Sequence, residues 1–384
     1  MEQVLYKLPD GWKYQKLKTL IKMHYGKALK AADRIEGEVS VYGSNGVVGS
    51  HNECLWSEPT VVIGRKGSVG EANLALAPSW TIDTAYYVEI IDHEVLDLIY
   101  FFYFADRFDV SSISQKGVKP GINRNDYLDL NFPLPPINEQ KRIVEKLDAL
   151  LTRIDTAIEH LQESVTLESS LLQSALDGQF AAIRERMTID SLAEVKGGKR
   201  LPKGEKLSDE VTDHPYIRVA DFTDKGTIDL SGIKYISKEI HEQIKRYVIS
   251  KDDLYISIAG TIGKTGFVPP ELDGANLTEN AAKLVIKDKQ QLDLSYLYLF
   301  TLTSDFSAQA GLATKTVAQP KLALTRLSKI EIPMCSLKEQ KLLVSTIEAL
   351  KSKIHDAEAV LLGKIEDLNS LKASILDSAF KGEL

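Results

Sequence analysis

The sequence predicts an α+β protein in which one plan is used twice. Two mixed, sheet-rich domains are separated by two long helices that form an antiparallel intramolecular coiled coil, with pseudo-twofold symmetry. Three observations predict this class. A 49-residue segment recurs 200 positions later, its apolar residues alternate at spacings of four and three, and short β-branched runs between glycine-rich turns fill the remaining chain. We therefore predict sheet-rich domains at 1–131 and 184–331, and helical spacers at 132–183 and 332–384.

The repeat is the segment Phe132–Phe180 with its copy Ile332–Phe380. The two align without a gap and share 16 of 49 positions, including a Glu-Gln-Lys triplet that begins at Glu139. Two unrelated helices of similar composition would not share so many positions. The chain is therefore predicted to consist of two half-molecules in tandem. Each begins with a variable segment, called the front segment below, and ends with the shared helical segment.

Apolar side chains in the repeat fall on one narrow stripe, whose alternating spacing is typical of a coiled-coil seam rather than of a globular surface helix. The stripe consists of Ile143, Leu147, Leu150, Ile154, Ala157, Leu161 and Val165, and in the copy of Leu343, Ile347, Leu350, Ile354, Ala357, Leu361, Ile365 and Leu368. A helix of about 40 residues would be roughly 60 Å long and could not bury this stripe alone. We predict that the two copies pack on each other; a coiled coil between two chains is the alternative.

Composition narrows the function classes. The net charge is −7, and neither front segment has a basic excess that would mark it as a nucleic-acid-binding domain overall, so DNA binding requires local basic patches. Two cysteines are too few for a disulfide framework or a zinc site, which fits a reducing cytoplasm. We expect no membrane span and no signal peptide, because no run of 18 apolar residues occurs and the first residues lack the charged-then-apolar pattern.

Glycine-framed basic loops follow the predicted strands of the first front segment. The strand Thr60–Ile63 leads into the loop Gly64–Gly70, and a second basic loop spans Gln115–Arg124. Glycines permit close approach to a phosphate backbone, while amides and hydroxyls match base-edge donors and acceptors. Each loop on its own could equally be a solvated turn. The candidate residues here are Asn45, Arg65, Lys66, Ser68, Lys116, Lys119, Asn123 and Arg124.

The second front segment delivers similar loops in the same order. A basic stretch at Lys196–Lys206 precedes the predicted strand Pro215–Asp221, and the predicted strand Asp253–Ala259 ends in the loop Gly260–Gly266, which we match to Gly64–Gly70. A last basic loop spans Thr314–Lys321. The candidate residues here are Lys199, Arg200, Arg218, Thr261, Lys264, Lys315, Gln319 and Lys321.

No motif of a self-contained active site is present in the sequence. Gly263 and Lys264 resemble the tail of a phosphate-binding loop, but that motif requires a glycine where Ile258 stands and a helix afterwards. There is no nucleophile-elbow or zinc-protease motif, and the seven histidines show no ligand spacing. We therefore predict no catalytic residue, no metal site and no cofactor bound by this chain.

Taken together, these segments resemble the specificity subunits of Type I restriction–modification systems. The resemblance is carried by the run Pro133–Val144 and its copy Ile332–Lys341, and by front segments such as Ile63–Ser68 and Ala259–Thr265, so that it covers nearly the whole chain. One departure is Cys335-Ser336 in place of the first copy's Pro-Pro pair, which affects only the entry into the second helix.

The resemblance implies a non-catalytic DNA-binding subunit. Each front domain would read one half of a bipartite, asymmetric target in double-stranded DNA, and the helices would set the spacer, since half-sites one turn apart lie about 34 Å from each other. Two methyltransferase subunits would dock on it and use S-adenosylmethionine to methylate adenine at N6. Restriction and translocase subunits would supply ATP- and Mg²⁺-dependent cleavage.

Two other classes stay open at this point. One is a non-catalytic coiled-coil scaffold whose front domains bind protein, and the other is a nuclease or methyltransferase in its own right. Within the DNA-binding interpretation, lysines are expected at phosphates, whereas Asn45, Ser68, Asn123, Thr261 and Gln319 are expected at base edges.

Overall fold

The computed structural model describes residues 6–115, 121–311 and 321–384. Tertiary contacts divide the chain into two compact units. The first unit holds the residues up to Glu163 together with Leu361–Leu384, and the second unit is Ser164–Val360. Each long helix therefore contributes its first part to one unit and its last part to the other.

The first unit is mainly β-structure with short helices. Its described strands are β1 (Lys13–Lys16), β2 (Ile21–Tyr25), β3 (Val39–Gly43), β4 (Gly46–His51), β5 (Thr60–Gly64), β6 (Ala72–Ala75), β7 (Ser79–Thr81), β8 (Ala85–Ile90), β9 (Ser114–Gln115), β10 (Gly121–Ile122) and β11 (Asn131–Leu134). Its helices are α1 (Leu98–Arg107), α2 (Arg124–Leu128) and the first part of α3 (Ile137–Ala181), with 3₁₀ turns at Leu17–Thr19, Ala31–Asp33 and Val110–Ser112.

The second unit has a similar order of strands, with additional helices. Its described strands are β12 (Arg186–Thr188), β13 (Ala193–Gly197), β14 (Pro215–Ile217), β15 (Lys234–Tyr235), β16 (Leu254–Ser257), β17 (Thr265–Phe267), β18 (Asn276–Leu277), β19 (Ala281–Ile286) and β20 (Glu331–Pro333). Its helices are α4 (Ile189–Leu192), α5 (Lys238–Ile244), α6 (Leu294–Thr301), α7 (Ser304–Ala310), α8 (Leu324–Ser328) and the first part of α9 (Leu337–Lys381), with 3₁₀ turns at Val219–Asp221, Lys245–Tyr247 and Pro270–Leu272.

The sheets of the two units have the same topology. An antiparallel four-stranded sheet has the order β2-β8-β5-β6 in the first unit and β13-β19-β16-β17 in the second. A three-stranded sheet has the order β4-β3-β7 or β15-β14-β18, with one antiparallel and one parallel pair in each case. A short antiparallel pair, β1-β11 or β12-β20, leads into each long helix. The β-branched run of β5 is buried throughout, as expected for a central strand.

The last turns of each long helix complete the core of a unit. Phe380, at the end of α9, packs in the first unit with its ring centroid 4.9 Å from that of Tyr100. Phe180, at the end of α3, packs in the second unit with its ring centroid 4.9 Å from that of Tyr296. The repeated phenylalanine is thus a core residue in both units.

Within the first unit the two long helices run antiparallel. Arg142 Nη2 donates to the Leu384 carbonyl oxygen at 2.8 Å, and Lys372 Nζ lies 2.9 Å from Asp155 Oδ1, so one helix ascends as the other descends. The predicted stripe faces inward at Ile143, which is fully buried. Within the second unit, Leu343 and Ile347 of α9 share the apolar core with the end of α3. The internal pairing is confirmed, with one exception in the stripe, because Ala357 is exposed.

The repeated Glu-Gln-Lys triplet has a structural explanation. Gln140 is fully buried, accepts a hydrogen bond from the Asp97 N–H at 2.8 Å and donates to the carbonyl oxygens of Val95 and Pro135, each at 2.9 Å. Gln340 makes the same three kinds of hydrogen bond in the second unit, to Asp293, Gln291 and Cys335. One amide in each unit therefore fixes the start of a long helix to its sheet domain.

The two helices begin with different chemistry at the position where the repeat departs. The Ser336 N–H donates to Glu339 Oε2 at 2.9 Å and the Glu339 N–H donates to Ser336 Oγ at 3.4 Å, which makes a capping box. The Ser336 hydroxyl also donates to Glu339 Oε2 at 2.6 Å. In the first copy Pro136 precedes the helix, and its carbonyl oxygen accepts from Gln140 N–H at 3.1 Å. The helix entry is preserved in both copies.

Two expectations for the second unit are wrong in detail. The predicted strand Pro215–Asp221 ends at Ile217, because the Asp221 carboxylate accepts the Arg218 N–H at 2.7 Å and turns the chain into a 3₁₀ turn. The counterpart of the loop Gly64–Gly70 is Ser257–Gly263, which starts three residues before the matched segment. Both loops are closed by one hydrogen bond, Gly70 N–H to Gly64 oxygen at 2.8 Å and Gly263 N–H to Ser257 oxygen at 3.0 Å.

Candidate nucleic-acid interface

The first unit brings its predicted DNA-binding segments to one end of the four-stranded sheet. The Ile122 N–H donates to the Arg65 carbonyl oxygen at 3.2 Å, which joins the last basic segment to the loop after β5. The β3–β4 turn also lies beside this loop, because a Cβ on Gly64 would stand 2.7 Å from the Ser44 carbonyl oxygen. Glycine is thus required at position 64, and the turn residue Asn45 shares a surface with the loop.

Two arginines at this end gather around one tyrosine ring. Arg65 Cζ lies 5.0 Å from the centroid of the Tyr25 ring, and Arg124 Cζ lies 5.2 Å from it. The Tyr25 side chain is 51% exposed, so the cluster faces solvent. Beneath it, burial raises the pKa of Tyr86, with a further contribution from Tyr25. The aromatic ring holds the guanidinium groups in place through cation–π contacts.

The other predicted residues of the first unit surround this cluster. Lys66 and Asn45 are exposed, and Ser68 is half-buried. The Asn123 carboxamide oxygen accepts the Asn125 N–H at 2.8 Å and so caps α2. Asn123 therefore has a local structural task as well as an exposed position.

The second unit also brings four segments together at the corresponding end of its sheet. The Ile258 N–H donates to the Asn280 oxygen at 2.8 Å, and the Leu322 N–H donates to the Ile258 oxygen at 2.8 Å. The Lys199 N–H donates to the Leu277 oxygen at 2.8 Å. The loops that carry Lys199, Thr261 and Lys321 therefore form one surface.

Two basic residues on this surface are held by one acidic residue, Glu279. Arg200 Nε donates to Glu279 Oε1 at 2.6 Å, and Lys321 Nζ donates to the Glu279 backbone oxygen at 2.8 Å. Burial alone would raise the pKa of Glu279, but hydrogen bonds, chiefly from Arg200, hold this pKa below its usual value. The Arg200 side chain is 78% exposed, so part of its donor fork faces solvent.

Two further predicted residues are engaged in ion pairs. Arg218 donates Nε to Asp221 Oδ2 at 3.1 Å and forms a salt bridge with this buried carboxylate. Lys264 Nζ lies 2.7 Å from Asp224 Oδ1. Thr261 is exposed in the loop after β16. Arg218 thus stabilises a turn, whereas Thr261 faces solvent. The predicted residues Lys116, Lys119, Lys315 and Gln319 lie outside the described residues.

Sequence reasoning missed Lys27, which occupies in the first unit the place that Lys199 occupies in the second. The Lys27 N–H donates to the Thr81 oxygen at 2.9 Å, and its Nζ lies 5.6 Å from the centre of the Trp80 ring. Lys199 Nζ lies 5.7 Å from the Tyr247 ring. A Gly-Lys pair that follows the first strand of each four-stranded sheet is the signal that would have revealed this correspondence.

The described part of the chain contains no group of three or more His, Cys, Asp or Glu side chains placed to hold a metal ion. No helix in the same part is long and apolar enough to cross a membrane.

The fold and these surfaces define a class of tandem recognition proteins, in which two sheet domains of one topology present different loops. The family model for the Type I restriction modification DNA specificity domain matches residues 9–168 and 184–366. The chain therefore belongs to the family of Type I restriction–modification specificity proteins.

Individual relatives agree with this family. The chain is 28% identical to the Type I restriction enzyme EcoBI specificity subunit of Escherichia coli over 284 residues, which cover 67% of this chain and only 59% of that subunit. It is 23% identical to the EcoDI specificity subunit of Escherichia coli over 405 residues, which cover 98% and 90% of the two chains.

Solved structures show the same fold. A chain from a type I R-M system, solved to explain complex assembly and conformational transition, superposes with a TM-score of 0.74 at 18% identity, covering 99% of this chain and 100% of that one. The HsdS subunit from Thermoanaerobacter tengcongensis superposes with a TM-score of 0.57 at 21% identity, covering 99% of each chain.

Proposed function

We propose that this chain is the DNA sequence-specificity subunit of a Type I restriction–modification complex. Each unit reads one half of a bipartite, asymmetric target, and the long helices set the spacer between the halves. The observation that carries this proposal is the end of the four-stranded sheet in each unit. The same backbone hydrogen bonds gather the loops there, but the side chains differ, with an arginine pair around Tyr25 in one unit and Arg200 beside Glu279 in the other.

The chemistry belongs to partners in this proposal. Two methyltransferase subunits dock on the chain and methylate adenine at N6 with S-adenosylmethionine, and restriction subunits use ATP and Mg²⁺. DNA affinity comes mainly from contacts of lysine and arginine side chains with phosphates, and sequence is read at base edges. Partner subunits that enclose the DNA offset the net charge of −7.

The test is to co-express the chain with its methyltransferase subunit and to map methylated adenines across the host genome. We expect one split motif with two different halves. A stable complex that adds no methylation and does not bind DNA selectively would instead favour a protein-binding scaffold. Methylation or cleavage by the isolated chain would contradict the non-catalytic assignment.

A further inference from the structure

We propose that Arg65 reads a guanine in one half-site and that Tyr25 and Arg124 are positioning residues for its guanidinium group. This inference rests on the proposed function and deepens it, because it assigns a base to a side chain. It also assigns that base to the half-site read by the first unit.

The first step of the argument is uncompensated charge. Two guanidinium carbons lie 5.0 Å and 5.2 Å from the same ring centroid, so Arg65 and Arg124 are close neighbours of like charge. No carboxylate of the described residues lies within ion-pair distance of either arginine, in contrast to Arg200 and Arg218. An acceptor-rich ligand would give these two cations the negative partner that they lack among the described residues.

The second step concerns the hydrogen-bond donors. Arg65 uses one N–H, which Nη1 donates to the Asp83 carbonyl oxygen at 3.1 Å. A guanidinium group has five N–H donors in a planar fork, so most of the Arg65 fork has no partner among the described residues. Arg124 is set deeper: its Nη1 lies 3.5 Å from the Met23 oxygen, and its Nε is buried with no hydrogen-bond partner among the described residues. Arg65 is therefore the reader and Arg124 its support.

The third step is the choice of ligand. Guanine presents O6 and N7 as two adjacent acceptors in the major groove, and a planar arginine fork matches both at once. An arginine fork can also bind a phosphate through two hydrogen bonds, but the exposed Lys66 beside Arg65 is available for the phosphate contact and leaves Arg65 for a base edge. The contact with the Tyr25 ring restricts the plane of the Arg65 fork, which favours base reading over a diffuse phosphate contact.

The fourth step is the contrast with the second unit. The Ile258 carbonyl accepts from Leu322 as the Arg65 carbonyl accepts from Ile122, so Ile258 stands where Arg65 stands. By the same correspondence, Leu324 begins α8 as Arg124 begins α2, and Gly197 ends β13 as Tyr25 ends β2. At these three described positions the second unit has no equivalent of the arginine fork, so it must read its half-site with other side chains.

The experiment uses the complex of the full chain with its methyltransferase subunits and duplexes that carry the mapped motif. Each guanine of the motif is replaced in turn by 7-deazaguanine, which lacks the N7 acceptor, and the Kd is measured. We expect one guanine whose replacement weakens wild-type binding roughly 5- to 150-fold. The same replacement should change binding by Arg65→Met less than about threefold, because methionine has no N–H donor for guanine N7 or O6.

Matched variants separate reading from positioning. Tyr25→Phe keeps the ring and should respond to 7-deazaguanine like the wild type, whereas Tyr25→Leu should respond like Arg65→Met. Lys66→Ala should weaken all duplexes equally and lower the slope of log K against log salt by about 1. Unchanged discrimination in the other half-site shows that each variant complex is folded.

The outcomes of the proposals are distinguishable. If the wild-type complex has a split motif but no guanine depends on Arg65, or if Tyr25→Leu keeps full discrimination, the guanine assignment is overturned and the proposed function stands. If the wild-type complex has no split motif at all, the proposed function fails and the assignment fails with it.

Discussion

The two units use one backbone frame to present two different surfaces. In both, the loops at one end of the four-stranded sheet are joined by backbone hydrogen bonds, such as Ile122 to Arg65 and Leu322 to Ile258. The first unit places an arginine fork there, whereas the second places an isoleucine and keeps Arg200 beside a carboxylate. Because main-chain hydrogen bonds fix the frame, side chains at the loops can change without loss of the fold.

Two sets of buried contacts, by contrast, recur in both units. The phenylalanine that ends each long helix and the glutamine near each helix start have matching partners. If the comparison is correct, substitutions in the frame should have paired effects in the two units, and substitutions at the surface should not. The predictions below test this, from the largest effect to the smallest.

The largest effects are expected for Phe180→Ala and Phe380→Ala. Each ring is almost fully buried, and truncation of such a ring leaves a cavity, so each variant should lower the free energy of unfolding by about 3–5 kcal/mol. Urea titration gives the magnitude, and hydrogen exchange shows which unit loosens. Leu171→Ala is the control, since that side chain is 56% exposed and should change stability by less than about 0.5 kcal/mol. A large loss of stability in only one of the two phenylalanine variants would contradict the equivalence of the two units.

Next come Gln140→Ala and Gln340→Ala. Each removes three hydrogen bonds to backbone groups at a buried site, and each should cost about 3 kcal/mol, since an unsatisfied buried group costs about 1–3 kcal/mol. Gln290→Ala, at an exposed position, is the control. Equal losses of stability for Gln140→Ala and Gln340→Ala in thermal unfolding would support the same anchoring role in both units. A Gln340→Ala variant as stable as the wild type would contradict that role in the second unit.

Glycine positions sharpen the comparison at the loops. A Cβ on Gly26 would stand 2.0 Å from the Ile82 oxygen, and one on Gly198 would stand 2.1 Å from the Thr278 oxygen. The backbone must therefore move to accept a Cβ atom. Gly26→Ala and Gly198→Ala should each lower the free energy of unfolding by about 2 kcal/mol. Gly363→Ala has nothing within 4 Å of its new Cβ and should stabilise the helix by about 0.5–1 kcal/mol. In one urea titration series, a loss of stability in the two loop variants and a gain in Gly363→Ala would confirm that the loop glycines, unlike the helix glycine, are required by close backbone contacts.

A smaller effect should distinguish the two helix entries. Ser336→Ala removes the hydroxyl of the capping box and should lower the free energy of unfolding by about 1 kcal/mol. Ser345→Ala, within the same helix and exposed, should be neutral or slightly stabilising, because alanine favours helix interiors. No difference between the two serine variants would argue against the capping box.

The smallest effect is a pH dependence of that same variant. Hydrogen bonds from the Ser336 hydroxyl and N–H hold the pKa of Glu339 below its usual value. A depressed folded-state pKa adds stability above the unfolded pKa, and this stability is lost as pH falls through the folded value. The destabilisation by Ser336→Ala should therefore shrink below about pH 4. Glu139 owes its lowered pKa to Arg142 instead, so Arg142→Ala is the matched variant in the first unit.

Local sequence pattern determined the secondary structure and the tandem plan. The seam spacing and β-branched runs such as Thr60–Ile63 depend only on neighbours a few residues apart, and the helices α3 and α9 and the strand β5 follow them. The 49-residue repeat is visible by comparing the sequence with itself, so the tandem plan also needs no tertiary information. The sequence predicted that Asn45 and the loop at Gly64 both bind DNA. It did not predict that the two loops lie side by side, because a sequence pattern does not show which loops are in contact.

Only the tertiary structure decided what the polar residues do. The sequence predicts Arg218 as a DNA contact on a strand, but its side chain forms a salt bridge with the buried Asp221 carboxylate. Gln140 looks like a polar helix residue in the sequence, but its amide is buried and anchors the helix start. Tyr25 carries no motif and becomes meaningful only because two arginines distant in the chain reach its ring. Short-range periodicity is set by backbone geometry, whereas hydrogen bonds, ion pairs and ring contacts depend on which distant segments the fold brings together.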